Sequence, residues 1–301
     1  MSGGSPTKIA LGHLRHATVG RRTNIMPISL CYIGSYARER LGVENIELRL
    51  YEDADRILQD IKEWRPNIIG LGHYCWNNKI SQLVFRTAKK IDPGVVCIGG
   101  GPDIPHDDEE CLAYLKERSA IDFYATLEGE MAFAVLTQKV LDGLPLDRLR
   151  AEPQVGMISI HPETGELVTG PPAERLVDLD VIPSPYLTGL MDQWFDGTFA
   201  PAIETTRGCP YACSFCSLGD TRWSRINRFS AERIKAELDY MAERMKDYPE
   251  SMLAIHDSNF GMYKQDEEIA GHIGGLQDRY GWPNTCDCNT GKTQHERIIR
   301  V

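Results

Sequence analysis

The sequence predicts an α/β protein: a doubly wound parallel sheet of the Rossmann type in the N-terminal half, then a second α/β region. Three observations point there. From Lys8 to about Gly143, five short apolar runs alternate with helical stretches, and repeated strand–helix units build a parallel sheet covered on both faces. Several of those runs end in glycine-rich or aromatic loops, the place where open α/β sheets bind ligands. A later strand-like run, Phe199 to Thr206, leads straight into a loop carrying Cys209, Cys213 and Cys216.

In chain order, the expected strands of the first half are 9–13, 47–51, 67–71, 95–99 and 122–126, and the helices between them are 27–41, 54–64, 79–91, 107–116 and 130–141. The strand ends carry the informative residues. His73-Tyr74-Cys75-Trp76-Asn77 follows the third, Gly99-Gly100-Gly101-Pro102 the fourth and Leu127-Glu128-Gly129-Glu130 the fifth. Glycines let a backbone approach a bulky ligand and accept positive φ, so the GGGP turn reads either as the wall of a pocket or as a tight strand-to-helix turn.

Residues 146–196 change character. Pro153, Pro162, Pro171, Pro172, Pro183 and Pro185 break up any long helix, and the segment reads as a linker with a small hairpin, 157–160 against 166–169 around His161-Pro162-Glu163-Thr164-Gly165. Residues 197–301 resume the strand–helix alternation. Ser230 is placed to cap a helix over 231–245, a strand at 252–256 runs into Asp257-Ser258-Asn259-Phe260, and a helix starts near Gln265. Cys286 and Cys288 share one face of a third strand, where they line the interior, ligate a further cluster, act as thiols or pack as small apolar residues.

At 301 residues and 42% hydrophobic composition the chain has room for two domains with ordinary cores. The Met1 to Lys8 leader is polar and no apolar run approaches the roughly 20 residues needed to cross a bilayer. A cytoplasmic protein is expected, with no membrane association. A formal charge of −10 and the lack of a Lys/Arg stripe with interleaved aromatics disfavour nucleic acid as a partner.

Arg207-Gly208-Cys209-Pro210-Tyr211-Ala212-Cys213-Ser214-Phe215-Cys216 places three thiols at CxxxCxxC spacing. Three thiolates hold three irons of a 4Fe-4S cluster and leave the fourth open to a substrate or cosubstrate. Zinc would want a fourth ligand and usually paired spacing. Disulfides fit poorly, since nine cysteines without a signal peptide point to a reducing compartment.

On Cys209, Cys213, Phe215 and Cys216 the sequence resembles the radical S-adenosylmethionine (SAM) superfamily. The resemblance implies a (β/α)6 partial barrel whose first strand ends in the cluster loop. SAM would chelate the open iron and be cleaved on reduction to a 5'-deoxyadenosyl radical, with an external flavodoxin- or ferredoxin-type protein as electron donor. Asp257 and Asn259 fall where such barrels contact the SAM amino group, and Phe215 lies beside it, although the tetrapeptide also reads as a capped turn before the next helix.

The loops of the first half, with Asn67-Ile68-Ile69-Gly70-Leu71-Gly72, resemble the cobalamin-binding domain that precedes the barrel in one branch of that superfamily. The resemblance implies domains at 1–145 (cobalamin-binding), 146–196 (linker) and 197–301 (the N-terminal part of the barrel). It places Tyr74, Cys75, Trp76, Asn77, Gly99, Gly100, Gly101, Glu128, Gly129 and Glu130 toward cobalamin. The DxHxxG motif that supplies an axial histidine in many such domains is absent from His13-Leu14-Arg15-His16-Ala17-Thr18-Val19-Gly20. Cobalamin is therefore expected with its lower face free of histidine, ahead of ligation by His13, His16 or His73. Trp76 either covers that face or packs in the core. Leu179 to Tyr186 resembles the lead-in to the barrel, and acts either to bring cobalamin over the barrel mouth or as an inert tether.

The function these resemblances imply is a cobalamin-dependent radical SAM methyltransferase. It would act at an unactivated carbon of a small-molecule or peptide substrate through a 5'-deoxyadenosyl radical and methylcobalamin. A radical SAM oxidoreductase, cyclase or lyase that transfers no methyl, and a non-catalytic cobalamin- or metal-binding fragment, stand as alternatives. Since a six-strand partial barrel needs about three more strand–helix units than residues 197–301 supply, the chain is expected to be a fragment or a truncated reading frame.

Overall fold

The structure, a computed structural model, describes residues 5–16 and 24–301. Residues 17–20 of the loop without the axial-histidine motif, and the first four of the polar leader, lie outside the described residues. The chain divides into two compact units, one built from residues 5–16 and Ser29–Arg175, the other from residues 24–28 and Leu176–Val301.

The first unit alternates β1 (Thr7–Gly12), α1 (Ile28–Leu41), β2 (Ile46–Tyr51), α2 (Ala54–Glu63), β3 (Ile68–Gly72), α3 (Asn78–Ile91), β4 (Val96–Gly100), α4 (Asp108–Glu117), β5 (Phe123–Ala125) and α5 (Gly129–Leu141). The parallel order is β2-β1-β3-β4-β5, so the winding reverses between β1 and β3, and their carboxyl ends form the switch point where such sheets bind ligands. Helices on both faces explain why the central strands read as unbroken apolar runs: Ile9, Ala10, Leu11, Ile68, Ile69, Leu71, Val96, Cys97 and Ile98 are all buried. Asp53 and Asp107 start α2 and α4 by accepting from the backbone N–H groups of Asp55 and Arg56, and of Glu109 and Glu110. The buried Asp122 carboxylate accepts from the Cys97 N–H and pairs with Lys89 at 2.7 Å, tying β5 to β4 and α3.

The expected linker is not one piece. After α6 (Leu146–Ala151), β6 (Met157–Ile160) and β7 (Leu167–Thr169) form the expected hairpin, but it joins the sheet antiparallel to β5 through Tyr124↔Ile158 and Ala125↔Met157. The reason is burial: the hairpin covers an edge that β5 would leave bare, and Met157 and Ile158 are buried there.

The second unit holds β8 (Ala202–Ile203), β9 (Thr206–Arg207), β10 (Asn227–Arg228), α7 (Ala231–Met245), β11 (Leu253–Phe260), α8 (Lys264–Tyr280), β12 (Cys286–Thr290) and α9 (His295–Arg300). A parallel sheet runs β12-β11-β8 and a separate antiparallel pair joins β9 to β10. The single strand expected over 199–206 is thus two short strands with a break at Glu204-Thr205, because the chain changes partner from β11 to β10. The strand expected at 252–256 is longer and takes in Asp257 to Phe260, which the sequence placed after it. Ser230 caps α7 as expected. α7 and α8 pack side by side, burying Ile234, Leu238 and Met241 on one and Ile269, Ile273 and Leu276 on the other. The lead-in segment is fixed by Tyr186, whose hydroxyl donates to the Ala202 carbonyl and accepts from its N–H, and by the buried Glu237, which receives Arg233 and Ser184 at 2.6 Å each.

The GGGP turn has an internal explanation. Gly101 has φ +109°, and a Cβ there would stand 2.6 Å from the His73 carbonyl oxygen. Gly101→Ala should therefore destabilise the first unit by roughly 1–3 kcal/mol from the left-handed backbone alone, and so lower its urea unfolding midpoint. An unchanged midpoint would show that the turn tolerates a side chain and that its glycine serves something else.

Candidate functional site

The two units carry two separate candidate sites. In the second unit, β9 and β10 pair at Asn227↔Arg207 and Arg228↔Thr206 and close the base of a loop over 208–226. Gly208, with φ +109°, presses against the returning chain: a Cβ would lie 2.5 Å from the Arg225 carbonyl oxygen and 2.6 Å from that of Trp223. The Cys209 N–H donates to the same Trp223 carbonyl at 2.9 Å. Further on, Gly219 leaves room for the Cys213 carbonyl, and the Cys216 N–H donates to it at 3.1 Å.

The thiols grade from inside to outside. Cys209 is buried, Cys213 half-buried and Cys216 exposed. The structure brings the three onto one loop. Among the described residues, however, no three Cys, His, Asp or Glu side chains gather as they would around a single metal ion. A cubane spreads its thiolates over three different irons, so a common loop with one seated and one outward thiol is compatible with it.

Behind the loop, Asp257 and Asn259 share a face of β11, and they lie where the register with β12 breaks between Ile255↔Cys288 and Phe260↔Thr290, a bulge of the kind that re-aims side chains. Asp257 does not face outward, as expected of a SAM contact. Its carboxylate is buried and accepts from the Thr205 N–H at 2.6 Å, the Thr205 hydroxyl at 2.5 Å and the Thr206 hydroxyl at 2.7 Å. Burial pushes its pKa up and those hydrogen bonds pull it down, with burial the larger. Asn259 reaches the loop itself: its amide Nδ2 donates to Cys209 Sγ at 3.3 Å, while its Oδ1 is buried without a partner among the described residues. Phe215 is 89% exposed at the loop tip. Cys286 and Cys288 pair with Leu253 and Ile255 across β11, one exposed and one half-buried.

Sequence reasoning missed three residues here. Thr205 and Thr206 supply the hydroxyls that hold Asp257, and two adjacent threonines just ahead of a cysteine loop were the available signal. Tyr211, inside the loop, shares a 2.7 Å hydrogen bond with the hydroxyl of Thr293 beyond β12, and nothing local in the sequence announces that contact.

In the first unit, the β1/β3 switch point carries an aromatic shelf. Trp76 is 57% exposed and stacks on Tyr74 at 4.5 Å and 18°, with the His13 ring 5.1 Å from Tyr74. His16 Nε2 donates to the Trp76 carbonyl at 2.7 Å. Cys75 is exposed. Asn77, expected at the cofactor, is turned inward: its Oδ1 accepts from the Tyr74 N–H and its Nδ2 donates to the Leu14 carbonyl, clasping the β3–α3 turn to the end of β1. The other loops are likewise engaged within the unit. A Cβ at Gly99 would meet the Tyr124 ring at 2.7 Å, and one at Gly129 would meet Ile33 at 2.7 Å. Gly100 closes the β3–β4 ladder and its carbonyl accepts from the His73 N–H. Glu128 pairs with Arg175 at 2.8 Å, and Glu130 is buried. His73 is fully buried beside Tyr114, with burial the main force holding its pKa down near 4, so it is a neutral core residue shut off from solvent.

No family model matches the chain. It is 32% identical over 78% of its length to 2-(S-pantetheinyl)-carbapenam-3-carboxylate methyltransferase of Streptantibioticus cattleyicolor. It is also 32% identical over 78% to the cobalamin-dependent radical SAM methyltransferase TokK of Streptomyces tokunonensis. The chain spans about a third of each relative, 34% in both cases. Its fold matches that of the cobalamin-dependent SAM radical enzyme OxsB, solved with aqua-cobalamin and SAM bound, at a TM-score of 0.67 and 20% identity, covering 91% of this chain and 37% of that one.

The Asp257 geometry generates a test. Asp257→Ala leaves two hydroxyls and an N–H without their buried acceptor, on the order of 3 kcal/mol, and frees the segment leading into the loop. The variant should take up less iron than the parent on reconstitution with iron and sulfide. Full iron loading with only SAM affinity reduced would show that Asp257 contacts the cosubstrate instead.

Proposed function

Because the chain belongs to the cobalamin-dependent radical SAM enzymes, we propose that it serves as a methyltransferase acting at a poorly activated carbon of a small-molecule or peptide substrate. One observation carries the proposal. A three-thiol loop follows β8, the first strand of a parallel βα series, and the short β9 after it, and the same chain holds a sheet of flavodoxin-type order with an aromatic shelf at its switch point.

The donor sets fit the groups that the proposal requires. Cys209, Cys213 and Cys216 would hold a 4Fe-4S cluster, and the buried Asn259 amide already faces one of those sulfurs. When bound, the cluster supplies one-electron reduction of SAM and cobalamin supplies a methyl carrier. The chain's own part is to seat and shield them. Thr205, Thr206 and Asp257 fix the entry to the loop, and the buried side of Cys209 keeps water from one edge of the site. Phe215, exposed beside Cys216, is proposed to lie against SAM. Tyr74 and Trp76 are proposed to offer their stacked rings to the corrin. Beside them His73 is buried and neutral, and His16 is bonded to the Trp76 carbonyl.

The electron source is proposed to be an external flavodoxin- or ferredoxin-type protein, approaching on the side of the exposed Cys216. Among the described residues no helix is long and apolar enough to cross a membrane. A cytoplasmic setting is proposed, since nine cysteines, three of them proposed to ligate a cluster, suit a reducing compartment.

Protein reconstituted with iron, sulfide and hydroxocobalamin, then incubated with SAM and dithionite, should yield both 5'-deoxyadenosine and S-adenosylhomocysteine. The Cys209→Ala/Cys213→Ala/Cys216→Ala variant should lose the 5'-deoxyadenosine. 5'-Deoxyadenosine alone would favour a radical enzyme that transfers no methyl, and neither product would refute catalysis by this chain.

A further inference from the structure

We propose that Asn259 is a positioning residue that sets the reduction potential of the cluster through its hydrogen bond to Cys209. The inference rests on reading the three-thiol loop as a cluster site and goes beyond it, because it gives the three ligands unequal electronic roles.

Four observations carry it. The Asn259 Nδ2 lies 3.3 Å from Cys209 Sγ. Both residues are buried, at 2% and 5% exposure, so the contact is shielded from water and electrostatically stronger than a surface one. Among the described residues, Asn259 is the side chain that donates to a cluster cysteine, while Cys213 and Cys216 stand progressively further into solvent. The fourth concerns cost. With its N–H turned to sulfur, Asn259 leaves Oδ1 buried with no partner among the described residues, an unfavourable arrangement at a strand position where an apolar residue would carry no such cost.

The amide is also held in place. Asp257, two residues earlier on the same face of β11, is tied to Thr205 and Thr206, which lie just ahead of Cys209. The strand that bears the donor and the segment that bears the acceptor are thus joined by a second, independent contact. An N–H aimed at a thiolate stabilises the more negative, reduced form of a cluster more than the oxidised form. In the step concerned the cluster accepts one electron from the external reductant, and the amide moves no proton.

The test is a dithionite titration of the reconstituted holoprotein, with the reduced cluster read by electron paramagnetic resonance and iron counted per chain. Asn259→Leu keeps the shape, removes the donor and adds no charge. At iron content equal to the parent it should show a midpoint more negative by a tenfold change in the one-electron equilibrium, about 59 mV. Ser258→Ala, on the opposite face of β11, should leave the midpoint where it was. Asn259→Ser, whose hydroxyl is too short to reach the sulfur, should shift it as Leu does and replaces Leu if that variant loads no iron. A midpoint equal to the parent in whichever variant loads overturns the inference while leaving the cluster in place. Failure of the parent itself to bind iron overturns instead the reading on which the inference rests.

Discussion

The buried carboxylate of Asp257 is the contact on which the second unit's site depends. A carboxylate sealed from water is unfavourable unless donors surround it, and here the donors are the backbone and hydroxyls of the two residues that precede the cysteine loop. This requirement accounts for several features together. The chain breaks between β8 and β9 where Thr205 turns to meet the acid. β11 runs on through Asp257, and its register with β12 slips over that stretch. Asn259, one strand period later on the same face, then meets Cys209. A loop rich in glycine and turns is thereby held at one point of its entry.

The first unit reaches the same end with neutral groups. Asn77 uses both ends of its amide to bind the β3–α3 turn to β1, and the backbone of His73 closes against Gly100 and Gly101. At the switch point an aromatic surface, Trp76 stacked on Tyr74, is presented outward. Large flat apolar faces suit a macrocycle better than a small polar metabolite.

The fold was largely legible because it rests on periodicity. Each expected strand and helix of the first half recurs within a residue or two, since runs such as Ile68 to Gly72, buried on both faces, have few other solutions. The hairpin was legible as a hairpin but not as part of the sheet, because pairing with β5 is a long-range choice that prolines in a linker-like segment conceal. In the site, the cysteine loop could be read directly, since its spacing is its chemistry. The contacts around it could not. Asp257 and Asn259 fall where the resemblance expects a SAM contact, yet only the strand register shows that one meets threonines and the other a sulfur. Glu128, Gly129 and Asn77 sit at strand ends, where polar and glycine residues serve packing and binding alike, so residue type alone does not separate the two.

Iron-57 Mössbauer spectroscopy of the reconstituted chain, before and after addition of SAM, addresses the central claim most directly, because it sees each iron of a cluster separately. Three cysteine-bound irons and one open iron predict a 4Fe-4S signal in which a single site shifts when SAM is added. A spectrum that SAM leaves unchanged, with all four irons equivalent, or a protein that takes up zinc in place of iron, would contradict it.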